Sequence, residues 1–179
     1  MSGRVAGASL VATLSLLLAA CATPPRPAAP GAPLPLSGRL LVRIDTQPPR
    51  SVSAQFELTG TPAEGALVLS GPLGTTAAQA RWARGEATLK SGDKETRYRD
   101  LDSLAEEALG ERIPIAALFD WLRGRPWSGG ASAPRRDSAP GFEQLGWRIN
   151  LTRASEGWIE AERPAPPAVL VRAKLDDPN

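Results

Sequence analysis

The sequence predicts a mainly β fold with a helical insert: a curled antiparallel sheet, or unclosed β-barrel, covered by an α-helical lid. Apolar and polar residues alternate with a period of two over most of residues 38–99. The apolar period changes to 3.6 over residues 101–123, and strand-like runs return between residues 142 and 175. A length of 179 residues is enough for one domain with its own core.

Residues 1–20 have the parts of a secretory signal peptide: a basic start at Arg4, an apolar run, and small residues at the end. The run is too short to span a bilayer, which takes about 20 apolar residues. Leu18-Ala19-Ala20-Cys21 resembles the bacterial lipobox, whose cysteine is acylated, and Cys21 is the only cysteine in the chain. We therefore predict lipidation at Cys21. The alternative is a plain signal peptide with a chance cysteine at its end.

Residues 21–37 are rich in proline and alanine, which predicts a semi-rigid, extended tether between the lipid anchor and a domain at 38–179. In lipoprotein sorting of enteric bacteria, aspartate after the cysteine retains the protein at the inner membrane. Ala22 stands there instead. We expect an outer-membrane lipoprotein that faces the periplasm.

The first half of the domain predicts a six-stranded meander. Its clearest strand alternates Val52, Ala54, Phe56 and Leu58 with polar residues. The third run, residues 66–69, is apolar on both faces, so it has apolar neighbours on both sides.

A turn with an unusual residue, Ser70–Thr76, follows that run. Pro72 suits the second position of a turn and Gly74 the fourth, so Leu73 would lie at the tip. Turn tips are usually polar. A leucine there is either folded back onto the core or exposed for a purpose.

Two amphipathic helices are predicted next. Ser103 and Glu106 fit a capping box, and Gly110 would end the first helix. Pro114 would start the second helix, whose apolar face comprises Ile115, Leu118, Phe119 and Leu122, with Trp121 off that face. A loop at 128–141 and three strands at 142–151, 158–163 and 169–175 complete about nine strands. The apolar interior is either solid core or a cavity.

Composition argues against an enzyme and against nucleic-acid binding. The chain has no histidine, its only cysteine is the predicted lipid site, and Glu106-Glu107 point about 100° apart on a helix. The formal charge is +2, without a long run of Lys or Arg. We expect no catalytic residues, no metal and no cofactor.

The whole pattern resembles the LolB family. The matching segments are Gly38–Leu40, Ser53–Phe56, Leu67–Thr76, Ile113–Ile115, Phe119–Pro126 and Gly146–Asn150. The resemblance implies an unclosed β-barrel with a helical lid and a hydrophobic cavity for acyl chains. It implies that a monomer receives lipoproteins from the periplasmic carrier LolA and inserts them into outer-membrane lipid.

By the same resemblance, Pro72, Leu73 and Gly74 form the loop for membrane insertion, where Leu73 either enters lipid or packs on acyl chains. The residues expected to line the cavity or lid are Phe56, Leu58, Leu118, Trp121, Leu122 and Trp147. Ordinary core packing is the alternative for both tryptophans. A helix that precedes the first strand in the family is not expected here, because the tether is proline-rich. The competing function is a non-transferring envelope lipoprotein: a scaffold or a binder of one apolar ligand.

Overall fold

The computed structural model describes residues 33–177. The predicted signal peptide, Cys21 and most of the tether lie outside the described residues.

Eleven strands form one antiparallel sheet in the described part of the chain. In chain order they are β1 (Leu36–Ile44), β2 (Arg50–Gly60), β3 (Gly65–Ser70), β4 (Thr76–Ala83), β5 (Glu86–Ser91), β6 (Lys94–Tyr98), β7 (Ser132–Pro134), β8 (Gly141–Gln144), β9 (Trp147–Asn150), β10 (Trp158–Arg163) and β11 (Val169–Leu175). Their order in the sheet is β6-β5-β4-β3-β2-β1-β11-β10-β9-β8-β7. The last strand of the chain therefore pairs with the first, and β6 and β7 are the two edges.

Two helices, α1 (Leu101–Leu109) and α2 (Ile115–Trp121), connect β6 to β7 across one face of the sheet. Phe119 packs edge-on against Trp82 of β4, with ring centroids 5.8 Å apart. Trp121 packs against Trp147 of β9 at the same centroid distance. Six strand spacings separate β4 from β9, or about 29 Å in a flat sheet. A seven-residue helix about 10 Å long contacts both strands, so the sheet curls around it. The predicted curled sheet with a helical lid is confirmed.

The core lies between the helices and the inner face of the sheet. Inner-face residues recur at every second position of β1 and β11, such as Val42 and Ile44 opposite Val171 and Val169. The outer face carries charged residues, including Arg39 and Arg43. This alternation is the pattern that the sequence predicted. Within residues 33–177, neither helix has the length and apolar content that a membrane span requires.

Three local predictions are wrong. The segment 142–151 is a hairpin, β8 and β9, because Leu145 (φ +54°) and Gly146 (φ +77°) adopt the left-handed conformations of a two-residue turn. Part of the predicted loop 128–141 pairs with β8 as the short strand β7, so the sheet has eleven strands rather than nine.

The third error concerns the start of α1. Its N-cap is Asp100, whose carboxylate accepts a hydrogen bond from the Ser103 backbone N–H at 2.7 Å. The helix therefore begins before Ser103, which lies inside it. Aspartate caps a free N–H of the first turn as well as serine does, so Asp100 can take the position predicted for Ser103. Gly110 does end the helix, with φ +75° and its N–H bonded to the Glu106 carbonyl.

Candidate functional site

The Leu73 turn has the geometry that the sequence predicts. The Gly74 N–H donates to the Gly71 carbonyl at 2.9 Å, which places Pro72 and Leu73 at the two central positions. A second bond, from the Gly71 N–H to the Thr75 carbonyl at 2.9 Å, closes the hairpin. Gly74 has φ +75°, a conformation that glycine adopts without strain.

Leu73 is held out from the protein. Its exposed fraction is 92%, the highest of the large apolar residues in the described part of the chain, and Pro72 and Gly74 are exposed beside it. Residues 65–80, which form β3, the turn and the first part of β4, contain no charged side chain. The hairpin can therefore approach an apolar medium without desolvating a charge, which is the main cost of such an approach.

An accessible apolar surface continues from this turn onto the inner face of the sheet. Val52 lies on the same face of β2 as the buried Phe56 but is 43% exposed. Leu40, Leu67 and Leu69 share this face on β1 and β3 and are only partly buried. We call these four residues the inner apolar patch. β3 ends opposite Gln55, so the Leu73 turn lies at the level of Val52.

The residues predicted to line the cavity or the lid lie in the packed core or against it, and Leu118, Trp121 and Leu122 come from the lid helix α2 and its C-cap. Phe56, Leu58, Trp121, Leu122 and Trp147 are all less than 8% exposed and belong to one cluster. Leu118 is partly buried against the same cluster. At these positions the structure shows packed side chains, and it does not show the expected cavity. Apolar periodicity identifies the face that is buried, but a lining residue and a core residue have the same period.

A buried amide fixes α2 to the sheet. Gln144 at the end of β8 is 2% exposed, and its Oε1 accepts from the Trp121 indole N–H at 2.8 Å and from the Trp127 backbone N–H at 2.9 Å. Its Nε2 donates to the carbonyls of Trp127 and Gly130, both at 2.7 Å. All four hydrogen-bonding positions of this amide are thus used. Gln144 was not predicted as a buried residue, because nothing in the neighbouring sequence distinguishes it from a surface glutamine.

A salt bridge fixes the connection between α1 and α2. Arg163 at the end of β10 pairs with Glu111 at 2.9 Å, and both side chains are 19% exposed. The same guanidinium donates to the Arg112 and Pro167 carbonyls and lies over the Trp147 ring. By contrast, the hydrogen bond from Arg50 Nη1 of β2 to the Leu109 carbonyl at the C-terminal end of α1 is long, at 3.4 Å.

A cleft of about 470 Å³ opens beside this salt bridge. One wall comes from α1 and the segment that precedes it, including Asp100 and Ser103, and the other from Leu145 and Trp147 of the β8–β9 hairpin. Hydrogen bonding to Ser103 lowers the pKa of Asp100, and burial raises the pKa of Asp102 on the same turn of α1. Since β6 and β9 lie near opposite edges of the sheet, this cleft is the seam of the unclosed barrel.

These features define the class of lid-covered, unclosed β-barrel proteins with an apolar inner face. The family model described as "Outer membrane lipoprotein LolB" matches residues 34–174. The chain belongs to the LolB family of outer-membrane lipoproteins.

Relatives named outer-membrane lipoprotein LolB support this assignment. The chain is 32% identical to the protein from Chromobacterium violaceum over 162 residues, which cover 87% of this chain and 86% of the relative. It is 36% identical to the protein from Bordetella petrii over 121 residues, or 63% of this chain and 61% of the relative. It is also 36% identical to the protein from Cupriavidus pinatubonensis over 104 residues, or 56% and 50%.

Proposed function

We propose that this protein, anchored at Cys21, receives lipoproteins from the carrier LolA, binds their acyl chains on the inner face of the sheet and inserts them into the outer membrane. The observation that carries the proposal is Leu73, which is 92% exposed at the tip of an uncharged hairpin. Family membership supports the same role.

The energetic problem is the transfer of acyl chains through water. Each buried CH₂ group contributes about 0.8 kcal/mol, so a lipoprotein anchor with several long chains does not cross an aqueous space without a binding protein. Val52 and Leu69 of the inner apolar patch offer apolar surface that is already partly accessible. Acyl chains that bind there exchange one apolar environment for another, so the transfer needs only a difference in affinity.

More apolar surface becomes available if α1 moves. This helix fully buries Leu104 and Ala105 and packs Leu101 and Leu109 partly against the core, whereas α2 fully buries Ala117, Phe119 and Trp121. Exposing the two buried residues and the covered parts of Leu101 and Leu109 costs about 4–7 kcal/mol, which roughly five to nine bound CH₂ groups of an acyl chain offset. In this proposal α1 is the mobile part of the lid, and α2 stays fixed through Gln144.

Delivery requires the bilayer to compete with the protein for the acyl chains. Complete burial of one leucine side chain contributes about 1.5–3 kcal/mol, which is too little to hold the domain on a membrane but enough to favour brief contact. Leu73 lies at the same level of the sheet as the patch residue Val52. Contact through this turn therefore brings the bound chains close to lipid.

The test is a transfer assay with lipoprotein-loaded LolA and liposomes. Leu73→Glu should accept lipoprotein from LolA normally and insert it at least tenfold more slowly, because a carboxylate at the tip opposes contact with lipid. Leu34→Glu is the matched control: Leu34 is 78% exposed, and it precedes β1 at the other end of the sheet. It should insert at the wild-type rate.

Two results would reject the proposal. Equal insertion rates for Leu73→Glu and wild type would remove the role of the turn. Failure of the wild-type protein to take lipoprotein from LolA would favour the competing function, a non-transferring envelope lipoprotein.

A further inference from the structure

A second apolar residue is exposed at the tip of a hairpin. Leu145 occupies the turn between β8 and β9 and is 49% exposed. In the described part of the chain, the large apolar residues of comparable or greater exposure are Leu34, Val52 and Leu73. Of these, only Leu73 shares with Leu145 a position at the tip of a two-stranded hairpin.

The backbone of this turn does not favour leucine. Gln144 pairs with Trp147 across the turn, and the two central residues have φ +54° (Leu145) and +77° (Gly146). A two-residue turn with both φ values positive prefers Asn-Gly, because in the left-handed region the Cβ of an L residue lies too close to the following carbonyl oxygen, a cost that glycine avoids and that asparagine offsets with local hydrogen bonds. Turn formation therefore does not explain a leucine at the first position.

Packing covers only about half of the Leu145 surface. The Cδ2 methyl of Leu145 lies close to Gly130, 3.3 Å from where a Cβ there would stand. The other half faces solvent, between the seam cleft and a second depression lined by Trp147, Arg136 and Arg148. Leu145 therefore has an exposed apolar side that no described contact covers.

The strand register places this tip at the same end of the sheet as Leu73. At this end of the sheet, Arg163, the last residue of β10, pairs with Val169, the first residue of β11. Val169 also pairs with Ile44, the last residue of β1. β9 begins near this end, since Arg148 pairs with Glu162. β2 starts at the same end, and β3 finishes toward it. The two tips therefore stand on opposite walls of the curled sheet, with the helices between them.

The charges near the tip suit a phospholipid surface. The side chain of Arg136 is 93% exposed, and its pair with Glu143 is long, at 3.9 Å. The side chain of Arg148 is 45% exposed, and it pairs with Glu162 at 3.7 Å. Guanidinium groups with such weak partners can bind lipid phosphates while Leu145, which lines the same depression, enters the apolar region.

We propose that the β8–β9 tip is a second lipid-contacting tip of this protein, with a phospholipid bilayer as its partner. Leu73 and Leu145 together make a two-point contact that turns the open end of the sheet toward the membrane. This inference rests on the proposed role of Leu73, and the experiments below separate the two.

The first experiment measures lipid contact directly. A single cysteine replaces Leu145, Leu73 or Ala63, which is an exposed residue of the β2–β3 turn at the opposite end. Each carries an environment-sensitive fluorophore on the mature, acylated chain in phosphatidylethanolamine–phosphatidylglycerol vesicles. Brominated lipids should quench the labels at 145 and 73 several times more strongly than the label at 63. Quenching at 73 without quenching at 145 would overturn this inference alone, and quenching at neither would overturn both roles.

The second experiment separates lipid contact from structure. Leu145→Asn suits the left-handed turn better than leucine, so its melting temperature should equal or exceed that of the wild type. Insertion of lipoprotein into the same vesicles should nevertheless fall about three- to tenfold, since an apolar contact with lipid is lost. Insertion at the wild-type rate by a folded Leu145→Asn variant would overturn the inference. Lower stability together with unchanged insertion would assign Leu145 to packing against Gly130.

Discussion

Replacing the buried amide of Gln144 tests how α2 is fixed to the sheet. In Gln144→Leu the side chain keeps a similar volume but loses its four hydrogen bonds. The indole N–H of Trp121, which is 0% exposed, would have no partner. An unpaired buried donor costs about 1–3 kcal/mol.

The other lost bonds add to this cost. The backbone groups of Trp127 and Gly130 are only partly buried, so water replaces some of what they lose, and each costs about 0.5–1 kcal/mol. The more favourable burial of leucine offsets about 1 kcal/mol. The expected loss of unfolding free energy is about 3 kcal/mol, which corresponds to a decrease of roughly 10 °C in melting temperature for a domain of this size.

Urea denaturation of Gln144→Leu and wild type measures this loss through the tryptophan fluorescence. Gln55→Leu is the matched control, because Gln55 is an exposed residue on the outer face of β2 and its change should stay within about 0.5 kcal/mol. A loss below about 1 kcal/mol for Gln144→Leu, or an equal loss for the control, would refute the reasoning.

Two further predictions concern ion pairs. Arg163→Met should lower the unfolding free energy by about 2–3 kcal/mol, since it leaves Glu111 mostly buried and unpaired. Arg97→Met, which breaks an exposed 3.9 Å pair with Glu86, should change it by less than about 1 kcal/mol, and equal losses in urea denaturation would contradict this prediction. Hydrogen bonding from Arg135 lowers the pKa of Asp137 to about 2. The ionised Asp137 carboxylate therefore stabilises the folded state above its unfolded pKa of about 4, and this stabilisation is lost as the pH falls toward 2. The melting temperatures of wild type and Asp137→Asn should therefore differ at pH 5–7 and converge near pH 2, and a constant difference would show that this carboxylate does not titrate as stated.

The contacts of the lid determine what the proposed opening at α1 would disturb. Gln144 fixes α2 to the sheet, and Arg163 fixes the segment that connects α1 to α2. Neither of these two contacts involves a residue of α1. α1 itself packs on β5 and β6, with Leu104 and Ala105 buried and Leu101 and Leu109 partly buried against the core. In the proposed function, opening at α1 leaves the Gln144 and Arg163 contacts in place, and it uncovers β5 and β6, which belong to the same wall as the Leu73 turn.

Local patterns predicted most of the fold. The period of two identified the strands of the meander, because a half-buried strand alternates its faces whatever its neighbours are. The turn at Leu73 was predicted from Pro72 and Gly74, whose backbone preferences are local. The hairpin at Leu145 was not predicted, since leucine is rarely found in a left-handed turn and Gly146 alone is a weak signal.

The sequence by itself determined the alternating strands, the two amphipathic helices, the turn with Leu73 at its tip and the resemblance to the LolB family, whereas the exposure of Leu73 came from the structure. Only the tertiary structure decided that Trp121 and Trp147 pack as core, that Gln144 is buried, and that Val52 stays accessible on an otherwise covered face. The reason is physical: the local sequence pattern around a residue sets the face of the strand or helix on which it lies. How far that face is covered depends on where helices distant in the sequence cross the curled sheet.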